Sequence, residues 1–507
     1  MIYCLQRVET GRNVCYGAPE KTTAGTVRAV VFLFTKAYRG TFMTKFLRRT
    51  FNCICVLMMM NIVLLLDLFT RDRFLLSRLF YGFFLWIVVG LLYLVTEILP
   101  CYEKGLKMRI QVLAGGYELI VTSAFCLFAE LIGYLCFFCF TKRSLLAVIR
   151  RATPTAEREL LIMLIANALM SGVFLFIHYM NGFLRTAFCS SQLGITLRVL
   201  MFFFWWLPPL NLVLFVKWCA IVRRELLYEK NRYFLDSARV ESCVCRTRYP
   251  VLMVHGIFFR DWQYLNYWGR IPCALKRNGA SVFYGRQQSS LSIADSAAEL
   301  KAEIFRVLSE TGAEKVNIVA HSKGGLDARY AISHLGMAPY VASLTTVNTP
   351  HRGCQFADAL LSSLPQWLIC FVASRYNSLF RRLGDSTPDF LAGVQDLTAA
   401  SCAVFNMETP DMPNVYYQSV TSKMRSVTSA GFPLNLGYLL SKKYEGDNDG
   451  LVSVSSAIWS NYMGLLSAGR KGISHGDMID LTHKNIKGFD VSEFYVLLFS
   501  GLKKRGF

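Results

Sequence analysis

Acidic residues and histidines are scarce in this chain: 34 Asp+Glu stand against 55 Lys+Arg, and only seven histidines occur in 507 residues. Charged residues of both signs make up 18%, while 53% is hydrophobic and the mean hydropathy is positive. So little charge over such a length excludes one ordinary soluble domain, and part of the chain is expected in a membrane. The first 27 residues hold no apolar run of the kind a secretory leader needs, so no cleaved signal peptide is expected. Residues 28–50 are basic and poor in acid, which leaves an organelle transit peptide open. No repeat or low-complexity tract stands out. No Arg/Lys-rich segment is interleaved with a base-stacking module, which argues against nucleic acid as a partner. Sixteen cysteines are present, but ten precede residue 220, mostly in apolar stretches, so buried thiols are expected rather than a disulfide scaffold. Cys243 and Cys245 are too close together and too isolated for a zinc site.

The two halves obey different rules. Residues 1–250 hold 30 Lys+Arg against 14 Asp+Glu, and the remainder 25 against 20, so +16 of the net +21 lies in the first half. Basic residues between apolar stretches fit the positive-inside bias and attraction to anionic lipid. After a basic N-terminal segment (1–50), a transmembrane domain is expected over 51–222. Its four spans are 79–98, 117–140, 160–180 and 200–222, each near the roughly 20 residues a bilayer requires. A shorter stretch, 53–69, carries Asn61 and Asp67 and is expected to be interfacial or re-entrant, a fifth span being the alternative. The basic loop with Lys142, Arg143, Arg150, Arg151 and Arg158 and the basic exit at Lys217, Arg223 and Arg224 then share the cytosolic side. Lys104, Lys107 and Arg109 argue mildly the other way. Glu118 and Glu130 inside the second span are expected to be interfacial or paired with an arginine. Residues 223–248, charged and irregular, read as a juxtamembrane linker.

From residue 249 to 507 short β-rich runs alternate with helical ones. The expected strands are 250–256, 281–284, 315–320, 341–347 and 415–420. Ile293, Ala297, Leu300, Ile304 and Val307 recur near helical spacing. This alternation predicts an α/β domain, a mainly parallel sheet with helices on both faces, and places functional residues at the carboxyl ends of the strands. The stretch V-N-I-V-A-H-S-K-G-G (316–325) has the composition of a nucleophile elbow. A sharp strand-to-helix turn strains the serine backbone and leaves room only for small residues at Ala320, Gly324 and Gly325. Ser322 is then the nucleophile, with His321 beside it.

A serine hydroxyl needs a base, an acid to hold that base, and donors for the oxyanion. His178 lies in an expected span, His255 ends the first strand, His334 follows the elbow in its helix, and His351 sits in T-P-H-R-G, where packing accounts for it. His475 in S-H-G-D suits a loop above the sheet and is favoured over His483. The acid is expected in G-D-N-D-G-L-V, where Asp449 precedes Gly450 and an apolar strand-like run. Asp447 is its alternative, and an exposed Asx turn the structural reading of both. The oxyanion donors are the backbone N–H groups of Lys323 and of Ile257, the latter following His255 and Gly256 after the first strand.

Residues 249 to about 490 resemble the α/β-hydrolase triacylglycerol lipases of the bacterial true-lipase type. The resemblance rests on Y-P-V-L-M-V-H-G, K-V-N-I-V-A-H-S-K-G-G-L-D-A-R-Y, V-A-S-L-T-T-V-N-T-P-H-R-G, L-T-A-A-S-C-A-V-F-N, V-Y-Y-Q-S-V, N-D-G-L-V and the H-x-D element at His475, in the family's order. It implies the triad Ser322, Asp449 and His475, with Ile257 and Lys323 as oxyanion donors. Ala320 stands where many relatives have glycine. Of the family's calcium site only Asp477 has a counterpart, since S-V-T-S-A-G-F-P-L-N lacks the earlier aspartate, and no cofactor is expected. The preceding membrane region is outside the bacterial pattern and its placement is more like that of membrane diacylglycerol lipases.

The insertion 353–384 carries Leu360, Leu361, Leu364, Trp367, Leu368, Phe371, Val372, Leu379 and Phe380 with Arg375, Arg381 and Arg382. It is expected to be a lid that opens against lipid, an ordinary packed cap being the alternative. Together these features predict a membrane-anchored serine hydrolase of lipid acyl esters. Acyl transfer by the same triad and a catalytically silent hydrolase-fold binding module are the rival functions.

Overall fold

The computed structural model describes residues 46–70, 75–102, 105–140, 155–257, 267–288, 290–382 and 384–507. The basic segment up to residue 45, and Lys104, Lys142, Arg143, Arg150 and Arg151, lie outside them. The chain divides into two compact units, with the break after Tyr233.

The first unit is helical: α1 (Phe46–Met60), α2 (Ile62–Thr70), α3 (Leu75–Ile98), α4 (Met108–Phe140), α5 (Thr155–Cys189), α6 (Ile195–Phe203) and α7 (Pro208–Arg239). Among the described residues three helices are long and apolar enough to cross a membrane, Leu79–Ile98, Met108–Cys139 and Arg158–Cys189. Helices α1 and α2 meet at a 74° bend at Asn61, whose amide turns to Leu57 O (3.1 Å) and Glu130 (2.8 Å) instead of facing lipid. The stretch 200–222 is not one helix. It breaks between Phe203 and Pro208, because Pro208 and Pro209 supply no N–H to continue the ladder of α6 and instead start α7. The expected linker from 223 is likewise helical as far as Arg239, its Arg, Glu, Leu and Lys being good helix formers.

Ionisable groups in the apolar helices are partnered, as the expense of isolated charge there demands. Arg49 grips Glu118 with two 2.6 Å bonds. Among the described residues Glu130 accepts from Asn61 and, at 3.1 Å, from Ser171, and from no arginine. His178 is bonded to Glu97.

The second unit contains a six-stranded, wholly parallel sheet: β1 (Val251–Val254), β2 (Val282–Tyr284), β3 (Val316–His321), β4 (Val341–Val347), β5 (Tyr416–Ser422) and β6 (Asn461–Leu466), in the order β2-β1-β3-β4-β5-β6. The central strands are continuous runs of buried residues because both faces are covered. On one face Leu252, Val254, Val316, Ile318 and Ala320 pack against helices α8 (Ile293–Thr311) and α9 (Gly324–His334). On the other, Val251, Met253, Val319 and Val347 meet Ile271–Arg277 and the C-terminal helix Val491–Lys504. This is the α/β-hydrolase architecture. Residues 451–457, expected to be strand-like, form a bend and a single helical turn, and the sixth strand comes later, at Asn461. It is only partly buried, and Gly464 at φ 125° interrupts it, so its sequence carries no alternation to read.

The insertion folds as two helices, α10 (Gln355–Ser363) and α11 (Gln366–Arg382), meeting at 118°. Helix α11 buries Ile369, Ala373 and Phe380 and exposes Trp367, Phe371, Val372 and Leu379. Helix α12 (Leu434–Glu445) packs against α10.

Ile318 is fully buried at the centre of β3. Ile318→Ala should lower unfolding free energy by about 2–5 kcal/mol, read as a drop in denaturant midpoint; an unchanged midpoint would contradict this packing.

Candidate active site

Strand β3 ends at His321, and helix α9 begins three residues later at Gly324. Ser322 occupies the turn with φ 55°, a left-handed conformation that a non-glycine residue adopts only when its surroundings impose it. Those surroundings are identifiable. Ser322 N–H donates to Val347 O of the neighbouring strand at 3.0 Å, and Ser322 O accepts from Gly325 N–H at 3.1 Å. A methyl group on Gly324 would lie 2.3 Å from His255 O, and one on Gly256 would lie 2.6 Å from Ser322 Cβ. The small residues thus let the loop after β1 close directly onto the serine. Ala320 is fully buried behind it.

The loops beyond β5 and β6 bring in Asp449 and His475. His475 Nδ1 lies 2.6 Å from Asp449 Oδ2, and the backbone joins the same two residues through His475 N–H to Asp449 O at 2.8 Å. The other carboxylate oxygen accepts from the N–H groups of Leu451 (2.9 Å) and Val452 (2.8 Å), so this fully buried acid is held on both oxygens. The His321 and His475 rings lie with centroids 4.4 Å apart and planes tilted by 53°, which places the pair against the residue preceding Ser322. The Ser322 hydroxyl itself is not hydrogen-bonded to His475. Such bonds are commonly long in unliganded hydrolases and close only around substrate.

Among the described residues, neither Ile257 N–H nor Lys323 N–H has an acceptor. Two unpaired donors flanking a serine suit a developing oxyanion. The loop that carries Ile257 is held from below by a residue without a sequence signal, Tyr267. Its hydroxyl accepts from Gly256 N–H (3.0 Å) and is hydrogen-bonded to His321 Nδ1 (2.7 Å), joining the loop after β1 to the elbow.

The Lys323 side chain turns away from the serine into the protein. Its ammonium donates to Asp327 Oδ1 (2.6 Å), Ser296 Oγ (3.0 Å) and Ser292 O (3.3 Å), with both charged partners about 97% buried. The i,i+4 spacing of Lys323 and Asp327 is the signal that could have identified this pair. Burial outweighs the lysine and pushes the Asp327 carboxyl up to about 7.

Of the remaining residues, Asp447 lies outside the triad, taking Lys442 Nζ at 2.7 Å and Lys423 Nζ at 3.1 Å. His483 is exposed on the turn after Asp480. His351 packs flat on Trp459, and His334 stacks on Tyr330. Asp477 is folded back onto Ser474, accepting from its N–H (2.9 Å) and hydroxyl (2.7 Å). Among the described residues no group of three or more His, Cys, Asp and Glu could hold a metal.

No family model matches the chain. It is 37% identical over 177 residues to "Triacylglycerol lipase" of Pseudarthrobacter phenanthrenivorans, a match covering 32% of this chain and 54% of that protein. "Triacylglycerol lipase" of Burkholderia plantarii is also 37% identical over 177 residues, covering 32% of this chain and 49% of that protein. The chain thus spans about half the length of these relatives. "Triacylglycerol lipase 2" of Saccharomyces cerevisiae is 29% identical over 265 residues, 48% of this chain and 75% of that one. Among solved structures, Staphylococcus hyicus lipase is 17% identical with a TM-score of 0.42, covering 51% of this chain and 98% of that one.

Three buried histidines set an acid limit on this unit. Burial lowers His255 to about 4 and holds His321 and His351 well below the ordinary 6.5. In acid the unfolded chain takes up protons on them that the native state refuses, so their stabilisation is full above pH 6.5 and is lost as pH falls. Asp327 works oppositely, holding its proton natively up to about 7 against an ordinary 3.8. Once the unfolded histidines are charged, three protons against one leave a net uptake of two, so the loss approaches about 3 kcal/mol per pH unit near pH 5 and is smaller toward pH 6.5. The denaturant midpoint of this unit should fall steeply over that range; a flat or rising midpoint would mean these histidines are not buried neutral.

Proposed function

We propose that the chain is a membrane-anchored serine hydrolase of lipid acyl esters, triacylglycerol or diacylglycerol being the expected class. The observation that carries this reading is the juxtaposition of a strained Ser322 at the carboxyl end of β3, a hydrogen-bonded Asp449–His475 pair and two unpaired N–H groups. Its kinship to proteins named triacylglycerol lipases supports the substrate class. Ser322 Oγ attacks the acyl carbonyl carbon while His475 Nε2 takes its proton, and Asp449 keeps Nδ1–H in place and stabilises the imidazolium. The carbonyl oxygen gains charge opposite Ile257 N–H and Lys323 N–H. His475 then returns the proton to the leaving alcohol, and water releases the acyl group by the same steps in reverse. No metal is needed for this sequence.

The apolar helices of the first unit support anchoring, and the basic residues Lys217, Arg223 and Arg224 favour the cytosolic side for the hydrolase unit. The exposed Trp367, Phe371, Val372 and Leu379 on α11, with Arg375, Arg381 and Arg382, suit a lid that opens against lipid.

Purified full-length protein should hydrolyse dioleoylglycerol in mixed micelles. Ser322→Ala should abolish this, and Asp449→Asn should reduce kcat on the order of 10⁴-fold; wild-type turnover by Ser322→Ala would end the proposal. Deleting 360–382 should depress activity on a bilayer-embedded ester more than on a soluble short-chain ester, whereas equal effects would make α10 and α11 a static cap.

A further inference from the structure

Asp447, left aside by the triad, belongs to a second site. Where β5 ends, Lys423, Met424 and Arg425 continue alongside the segment after β6. Lys423 N–H donates to Leu466 O (3.1 Å), Arg425 N–H to Lys471 O (2.9 Å) and Ile473 N–H to Lys423 O (2.8 Å). These three residues, with Tyr438 and Lys442 of α12 and with Asp447, line a cavity of about 230 Å³. Three of the lining side chains are cationic and one is a carboxylate. The Lys423 and Lys442 ammonium groups converge on Asp447 from two different segments, and that carboxylate remains about half exposed (49%). The donors are thus arranged around an anion, and the present occupant is an exposed side chain on a turn. Arg425 reaches Ser467 Oγ at 3.1 Å and is itself exposed.

The same helix explains which anion fits. Helix α12 buries Gly437, Tyr438 and Ser441 and turns Leu436 and Leu439 outward, 51% and 53% exposed, while Phe432 in the turn before it is 82% exposed. Leu436 and Leu439 fall on one face of the helix at i, i+3 spacing, and Phe432 precedes them in the turn that leads into it. An exposed apolar row followed by Lys442 and Lys443 is the pattern of a helix lying in a lipid interface, its cations at the level of the head groups. A soluble phosphate or a nucleic acid would leave that row uncovered. A volume of 230 Å³ is below the roughly 300–1,000 Å³ of pockets that enclose whole small ligands, and so suits a head group. Asp447 is two residues from Asp449, which keeps their Cα atoms within about 7.6 Å, so the cavity adjoins the catalytic loop. Leu434 of α12 also lies where a side chain on Gly476 would meet it, beside His475.

We propose that the cavity formed by Lys423, Arg425 and Lys442 receives the phosphate of an anionic membrane phospholipid, with Phe432, Leu436 and Leu439 entering the same leaflet. Anionic lipid thereby orients the hydrolase unit on the surface that presents its ester. Its activity readout rests on the hydrolase reading; its binding readout does not.

The test uses full-length protein in detergent, with lipid retention measured by native mass spectrometry for phosphatidylglycerol and phosphatidylcholine. Wild type should retain phosphatidylglycerol preferentially. K423Q/R425Q/K442Q should lose about tenfold or more of that preference, and Asp447→Asn, which removes the internal competitor, should gain. Equal retention by the triple variant, or a loss on Asp447→Asn, would overturn the site. Complete displacement of the lipid by millimolar inorganic phosphate would overturn the assignment to lipid. In phosphatidylcholine bilayers, added phosphatidylglycerol should raise dioleoylglycerol hydrolysis by wild type but not by the triple variant, with soluble-ester turnover equal in both. Should wild type hydrolyse no ester at all, the hydrolase reading fails while lipid retention still decides this one.

Discussion

The close approach of the β1 loop to the β3–α9 turn is the constraint on which the second unit depends. Ser322 is held at φ 55° because its N–H is taken by β4 and its carbonyl by α9, while the loop carrying Gly256 leaves no alternative path for the chain. That closeness has several consequences. It requires glycine at 256 and 324, places two unpaired N–H groups beside the serine, and brings His255 and His321 into a dry interior where neither can carry charge. A strained backbone of this kind costs on the order of 1–3 kcal/mol, which the buried sheet beneath it must offset.

Polar groups around the elbow are satisfied in a way that divides the labour. Asp449 is bound by two backbone N–H groups and by His475, so its position does not depend on His475 alone. Tyr267 ties the loop after β1 to His321, whose ring lies 4.4 Å from that of His475. Lys323 contributes its backbone to one side of the turn and its ammonium to the buried Asp327 on the other. Loops from four strand ends are thereby coupled through short contacts.

Legibility in the sequence followed burial and periodicity. The strands β1 to β5 are short runs rich in β-branched and aromatic residues, and A-H-S-K-G-G is dictated locally by the turn it makes, so both could be read from neighbours in the chain. Asp449 and His475 could be proposed because few histidines were available and G-D-N-D-G has turn chemistry. Strand β6 could not, since N-Y-M-G-L-L is only partly buried and interrupted by Gly464. Residues 200–222 are mostly apolar, and hydropathy alone does not register that Pro208-Pro209 divides them into two helices. Tyr267 and the Lys323–Asp327 pair depend on contacts made across the fold, the first with no local signal and the second with only an i,i+4 spacing shared by many solvated pairs.

The central claim is that Ser322 is an activated nucleophile. Incubating the full-length protein with a fluorophosphonate and mapping the adduct by peptide mass spectrometry tests it most directly. The account predicts one stoichiometric adduct, on the peptide containing Ser322, lost when Asp449 or His475 is replaced. An adduct on another residue, or an unmodified Ser322 in folded protein, would contradict it.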